Sequence, residues 1–99
     1  MMNLKGTAVG WVGDDGEFPG VIEVQLIDAE GTVHSLIDKV PIFGRTEDLG
    51  PDSTYPLPVD ICVVLIERID GDRALIELCW QARNTERTRY VVPSVDLAP

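Results

Sequence analysis

Residues 61–80 read as two arms rich in β-branched and other apolar residues, ICVVLIERI and DRALIELCW, whose successive side chains fall on two opposite faces, with Asp70-Gly71 between the arms. A period of two over this length predicts paired β-strands, and a two-residue Asp-Gly loop predicts a hairpin. The loop sets Ile69 opposite Asp72. Counting back, Leu65 faces Ile76, Val63 faces Leu78 and Ile61 faces Trp80, and this side is the expected core. On the reverse side Ile66 meets Leu75, Val64 meets Glu77 and Cys62 meets Cys79. Arg68 is set against Arg73, a like-charge contact that costs a few tenths of a kcal/mol, on the order of other cross-strand pairs. Apolar residues thus occupy both faces. The second face, Cys62, Val64, Ile66 and Leu75, needs a cover: another strand layer, a long loop or a second subunit.

Short β-branched runs separated by Gly and Pro continue through the rest of the chain and predict further strands over 4–12, 21–27, 32–39 and 85–92, with a short closing strand near Val95 and Leu97. Gly6 and Gly10 mark bends or a bulge in the first strand. Asp28-Ala29-Glu30-Gly31 reads as a type I turn with Asp28 opposite Gly31. That register pairs Leu26 with Val33, Val24 with Ser35 and Ile22 with Ile37 on an apolar side, and leaves His34 beside Gln25 on a polar one. Residues 44–60 form a long connection with one expected helical turn at 46–49, capped by Thr46. Tyr55 and Leu57 are expected to pin the rest of it down. No helix of useful length emerges. The expected fold is a small all-β domain over residues 1–99, an antiparallel meander of five to seven strands closing into a partly open barrel. SH3-like and OB-like barrels are its geometric templates, an analogy that carries no function.

The cysteines follow from the hairpin register. Facing positions on adjacent strands permit a disulfide, and counting from Ile69 and Asp72 assigns them a non-hydrogen-bonded pair with Cα atoms about 4.5 Å apart. The bond would close a loop worth about 3 kcal/mol in the chain-entropy model. In a cytosolic protein the expected state is instead two reduced thiols packed as small apolar residues. The cytoplasm is the expected compartment, because residues 1–6 do not read as a signal peptide and no apolar run is long enough for a membrane helix.

Charge narrows the partners. The chain of 99 residues carries 17 acids and 8 bases, a formal net charge of −9, and residues 1–60 hold 11 of those acids and 3 of those bases. Arg83, Arg87 and Arg89 form the sole basic island, too little for a phosphate-binding footprint, so nucleic acid is not an expected partner. His34 is the only histidine. A triad would need Ser35, Ser53 or Ser94 brought to it, and no nucleophile-elbow motif supports one. Asp14, Asp15 and Glu17 do not match a calcium loop, and the cysteines lack zinc spacing, so no metal or cofactor is expected. The leading expectation is a non-enzymatic interaction module, of the inhibitor, immunity or accessory-subunit kind, that binds a basic protein. Its contacts are expected at Asp14, Asp15, Glu17, Glu47, Asp48 and Asp52, with Phe18 and Tyr55 as apolar anchors. Self-association on the Cys62, Val64, Ile66, Leu75 and Cys79 face is a second way of binding. The alternative class is a small-molecule-binding or enzymatic barrel with a pocket near His34.

Overall fold

The structure, a computed structural model, describes residues 1–13, 20–43 and 49–99. Its strands are β1 (Met2–Gly13), β2 (Val21–Ile27), β3 (Val33–Lys39), β4 (Leu57–Arg68), β5 (Arg73–Leu78), β6 (Arg89–Pro93) and β7 (Leu97–Ala98). All pairings are antiparallel, in the order β3-β2-β1-β4-β5-β6, with β7 added to β1. Short 3-10 turns at Val40–Phe43 and Ser94–Asp96 are the only helical elements among the described residues. The sheet curls into a small, partly open barrel, as the alternation of short strands and turn residues predicts.

β1 sits in the middle and bends to serve both neighbours. Its first half pairs with β4, from Met2 opposite Val63 to Ala8 opposite Leu57. Its second half pairs with β2, with register shifts between Ala8 and Gly10 and between Trp11 and Gly13. The expected bend at Gly10 is therefore a bulge. Gly20 enters β2 at φ +116°, and a Cβ there would lie 2.5 Å from Cη2 and Cζ2 of Trp11. Only glycine lets the indole lie against that backbone.

Both Asp-led hairpin loops are longer than their sequences imply, for one reason. At 28–32, Asp28 Oδ1 accepts hydrogen bonds from the N–H groups of Glu30 (2.9 Å) and Thr32 (3.0 Å), and Asp28 N–H donates to Thr32 O at 2.9 Å. At the second loop, Asp70 Oδ1 accepts from Asp72 and Arg73 N–H, both at 2.9 Å. The expected Asp28–Gly31 turn forms, Gly31 N–H donating to Asp28 O at 3.0 Å with Gly31 at φ +84°. In each loop the carboxylate gathers N–H groups while one residue more than expected separates the strands.

The consequences differ. Nothing absorbs the extra residue between β2 and β3, so the whole of β3 slips by one. Leu26 faces His34, Val24 faces Leu36 and Ile22 faces Asp38. The expected pairs with Val33, Ser35 and Ile37 are overturned, and His34 lies on the core side rather than beside Gln25. Between β4 and β5 a bulge between Leu65 and Glu67 absorbs the slip. Beyond it Arg68 faces Ala74, so the expected Ile66–Leu75, Arg68–Arg73 and Ile69–Asp72 pairs do not form. Before it, Val63–Leu78, Val64–Glu77 and Leu65–Ile76 pair as expected. Ile61, Val63, Ile76 and Leu78 are buried with Leu4, Ile22, Val24, Leu26, Leu36 and Val92 in one core.

The open side of the barrel is bridged through β3. Arg83 N–H donates to Ile37 O at 3.0 Å. The Asn84 amide accepts from Ile37 N–H at 2.9 Å and donates to Ser35 O at 2.8 Å. Arg83 Nε lies 3.6 Å from the Asp38 carboxylate, and Ala29 N–H donates to Val91 O at 2.9 Å. The expected sixth strand over 85–92 begins only at Arg89, because Thr85 and Arg87 close local turns, Thr85 N–H donating to Ala82 O and Arg87 N–H to Thr85 Oγ1. The fourth strand starts at Leu57, earlier than expected. Pro58 is tolerated there because β4 is paired on one flank only until Val63 meets β5.

Candidate functional site

The outer face of β4 and β5 holds the residues that the hairpin pattern singles out. Val64 and Ile66 are 42% and 39% exposed, with Leu75 half-buried beside them. Leu75 faces Val91 across the β5–β6 ladder, which extends the apolar surface onto a third strand. Charges border it. Glu77 pairs with Arg89 at 3.2 Å, and exposed Glu67 stands opposite Leu75. Asp70 pairs with Arg73 at 2.8 Å, and this hydrogen-bonded guanidinium holds the Asp70 carboxyl below its usual range.

A disulfide joins Cys62 and Cys79, in place of the expected thiols. The Cα atoms are 5.5 Å apart and Cys79 N–H donates to Cys62 O at 3.0 Å, so this is a hydrogen-bonded position. The expected parity fails because it rests on an Ile69–Asp72 pair, whereas Ile69 N–H bonds to Arg73 O. Facing placement survives, since the bulge lies between the cysteines and the loop. Met1 also reaches this spot, its sulfur 3.5 Å from Cys62 Sγ and 3.9 Å from Cys79 Sγ. Sequence spacing carries no signal for that contact. It follows from Asn3 standing opposite Cys62 in the β1–β4 ladder.

The expected loop contacts fare differently. Asp14, Asp15, Glu17, Phe18, Glu47 and Asp48, and the helical turn at 46–49 apart from Leu49, lie outside the described residues. Asp52 is exposed, as a contact residue must be. Tyr55 is not a free anchor. It packs against the core, and its hydroxyl donates to Gly50 O at 2.8 Å. Leu49 is buried in the same core. The described part of the long connection is thus spent on the barrel interior and leaves the outer face uncovered.

His34 belongs to a second cluster that the slipped register creates. Its Nε2 is 2.7 Å from Asp28 Oδ2, and its ring meets Tyr90 edge-on at 4.9 Å between centroids. The Arg87 guanidinium lies 4.3 Å above the Tyr90 ring. The hydrogen bond to His34 is the chief reason Asp28 titrates below the usual aspartate range, with the Thr32 N–H next. Burial raises the Tyr90 phenol, against the lowering effect of Arg87. The hydroxyls that a triad would need are elsewhere: Ser35 donates to Glu23 at 2.6 Å, Ser53 accepts from Gly50 N–H at 3.0 Å, and the buried Ser94 hydroxyl has no hydrogen-bond partner. The cluster ties β3 to β6 and presents no nucleophile to His34.

Among the described residues no three His, Cys, Asp or Glu side chains converge as a metal site, and no helix is long and apolar enough to cross a membrane. The chain matches no family model, no curated protein and no solved structure.

Proposed function

We propose that this protein is a non-enzymatic interaction module whose acidic body binds a basic protein partner through the outer face of β4 and β5. The observation that carries this reading is the pair Val64 and Ile66, left 42% and 39% exposed in mid-sheet on a chain of net charge −9. An apolar patch in that setting marks a contact surface. Glu67 and Glu77 at its border favour lysine and arginine on the other side, and the long-range field of the acidic body speeds the encounter. An inhibitor of a basic enzyme, or an accessory subunit, has these needs. In a reducing cytoplasm, the compartment expected from the sequence, the cysteines beside the patch stand as thiols. In an oxidising one they stand as the disulfide.

The test is capture from native lysate at low and high salt, with wild-type chain and with Val64→Lys and Ile66→Lys combined. Both positions point outward, so the core is untouched. Capture of a basic protein is expected to weaken as salt rises and to fall at least about tenfold in the variant, roughly 1.4 kcal/mol. Salt-indifferent binding that the variant retains overturns the reading. So does association with a second copy alone, seen as concentration-dependent sedimentation of the pure protein.

A further inference from the structure

Three sulfur atoms from distant parts of the chain converge where β1, β4 and β5 meet. Cys62 and Cys79 face one another with Cα atoms 5.5 Å apart. Met1 Sδ lies 3.5 Å from one sulfur and 3.9 Å from the other. All three lie on the outer side of the sheet, where Met1 is 91% exposed and Cys79 is exposed. We propose that the reduced form of this protein binds one copper(I) ion through the sulfurs of Cys62, Cys79 and Met1.

Donor chemistry selects the ion. Two thiolates and a thioether are soft ligands, which favour copper(I) over hard cations that take oxygen. Zinc(II) in a structural site takes four ligands, and no carboxylate or imidazole joins the two cysteines among the described residues. Spacing agrees. A metal–sulfur bond of about 2.3 Å, as in zinc thiolates, places three sulfurs in a plane about 4 Å from one another. Met1 Sδ already stands near that distance from both cysteine sulfurs. Once the disulfide opens, the side chains need only part by rotation about their own bonds, since the facing backbone positions are fixed by the ladder.

That ladder does not depend on the disulfide. The opposite face of the same strands buries Ile61, Val63 and Leu78, and β1 holds β4 through the pairs from Met2 to Ala8. A cellular dithiol supplies the two electrons and two protons that convert the disulfide to two thiols, and is itself oxidised to a disulfide. Copper(I) then displaces both thiol protons, giving a two-thiolate, one-thioether complex of net charge −1. Copper binding at these sulfurs needs no protein partner.

The experiment uses the full chain, reduced with dithiothreitol, desalted without oxygen, and titrated with copper(I) supplied as its acetonitrile complex against bicinchoninate. Expected are one copper(I) per chain, a thiolate-to-copper ultraviolet band, and three sulfur neighbours by X-ray absorption. The oxidised wild-type chain should not compete. Cys62→Ser combined with Cys79→Ser should weaken binding on the order of 100-fold or more. Met1→Leu, made behind a cleavable leader, should weaken it about tenfold and drop one sulfur neighbour. Amide exchange on the reduced chain should keep the Val63–Leu78 pairing protected. Failure of the reduced chain to compete overturns the proposal. So does copper held by two sulfurs with Met1→Leu unchanged, zinc(II) bound as tightly as copper(I), or loss of that protection.

Discussion

Asp28 and Asp70 decide where side chains point in this molecule. Each carboxylate gathers the N–H groups of its own loop, and each thereby lengthens a turn that sequence reads as tighter. The Asp28–Gly31 turn was legible and the extra residue was not, because Gly31 at positive φ lets the turn close on itself while the strands first pair through Asp28 and Thr32. At Asp28 the cost to sequence reasoning was a whole strand face, His34 included. The same carboxylate makes stability depend on pH. Its folded pKa lies below the ordinary aspartate value of about 3.9, so its contribution is present above that value and is lost as pH falls through the depressed one. Asparagine keeps the loop-holding oxygen and removes the charge. Denaturant unfolding between about pH 5 and pH 1 is expected to show a shallower acid loss in Asp28→Asn than in wild type. Parallel curves would show that His34 and the loop N–H groups do not set this carboxyl.

At the scale of elements, the β4–β5 hairpin was the most legible part of the chain. The bulge after Leu65 lies on the loop side of every pair that builds the core and the cysteine position, so the alternation from Ile61 to Leu65 reads true. It fails beyond, where Arg68 meets Ala74 and Arg73 turns back to Asp70. The start of β4 was hidden by Pro56 and Pro58, which punctuate a loop in most sequences. The disulfide spans a sequence separation of 17 within this hairpin. Replacing both cysteines by serine is expected to lower the unfolding free energy by about 3 kcal/mol, chiefly by freeing the unfolded chain. Equilibrium denaturation measures this, with cross-strand contacts between Val63 and Leu78 unchanged. A loss under about 1 kcal/mol, or a shifted register, would mean that the crosslink does not act through the loop it closes.

At the scale of the molecule, closure rests on residues far from the strands they close. Asn84 holds Ile37 N–H and Ser35 O of β3, and no periodicity in residues 81–88 announces this. Asn84→Ala removes both bonds from a strand edge open to water, at an expected cost of about 1–2 kcal/mol. Hydrogen exchange is the decisive measurement: the Ile37 amide should lose protection while Val24 and Val63 keep theirs. Equal loss at all three would assign Asn84 to global stability and not to the seam. The order of strands was likewise out of reach of sequence, and with it the meeting of Met1 with the cysteines. The outer apolar patch was legible, because Val64 and Leu75 keep their outward side whatever lies beside them.

The central place of β1 has a consequence for how the protein is made. It is the first of the seven strands to leave the ribosome, yet Met2 is matched by Val63 and Asn3 by Ala98. A nascent chain can zip β1 to β2 and β2 to β3 early, but one flank of β1 stays bare until β4 has been made. Pairings this remote in sequence are slow to find. Closure of this barrel therefore waits for β4 and β7, and fragments that stop short of β4 carry an open strand edge of the kind that other chains add to.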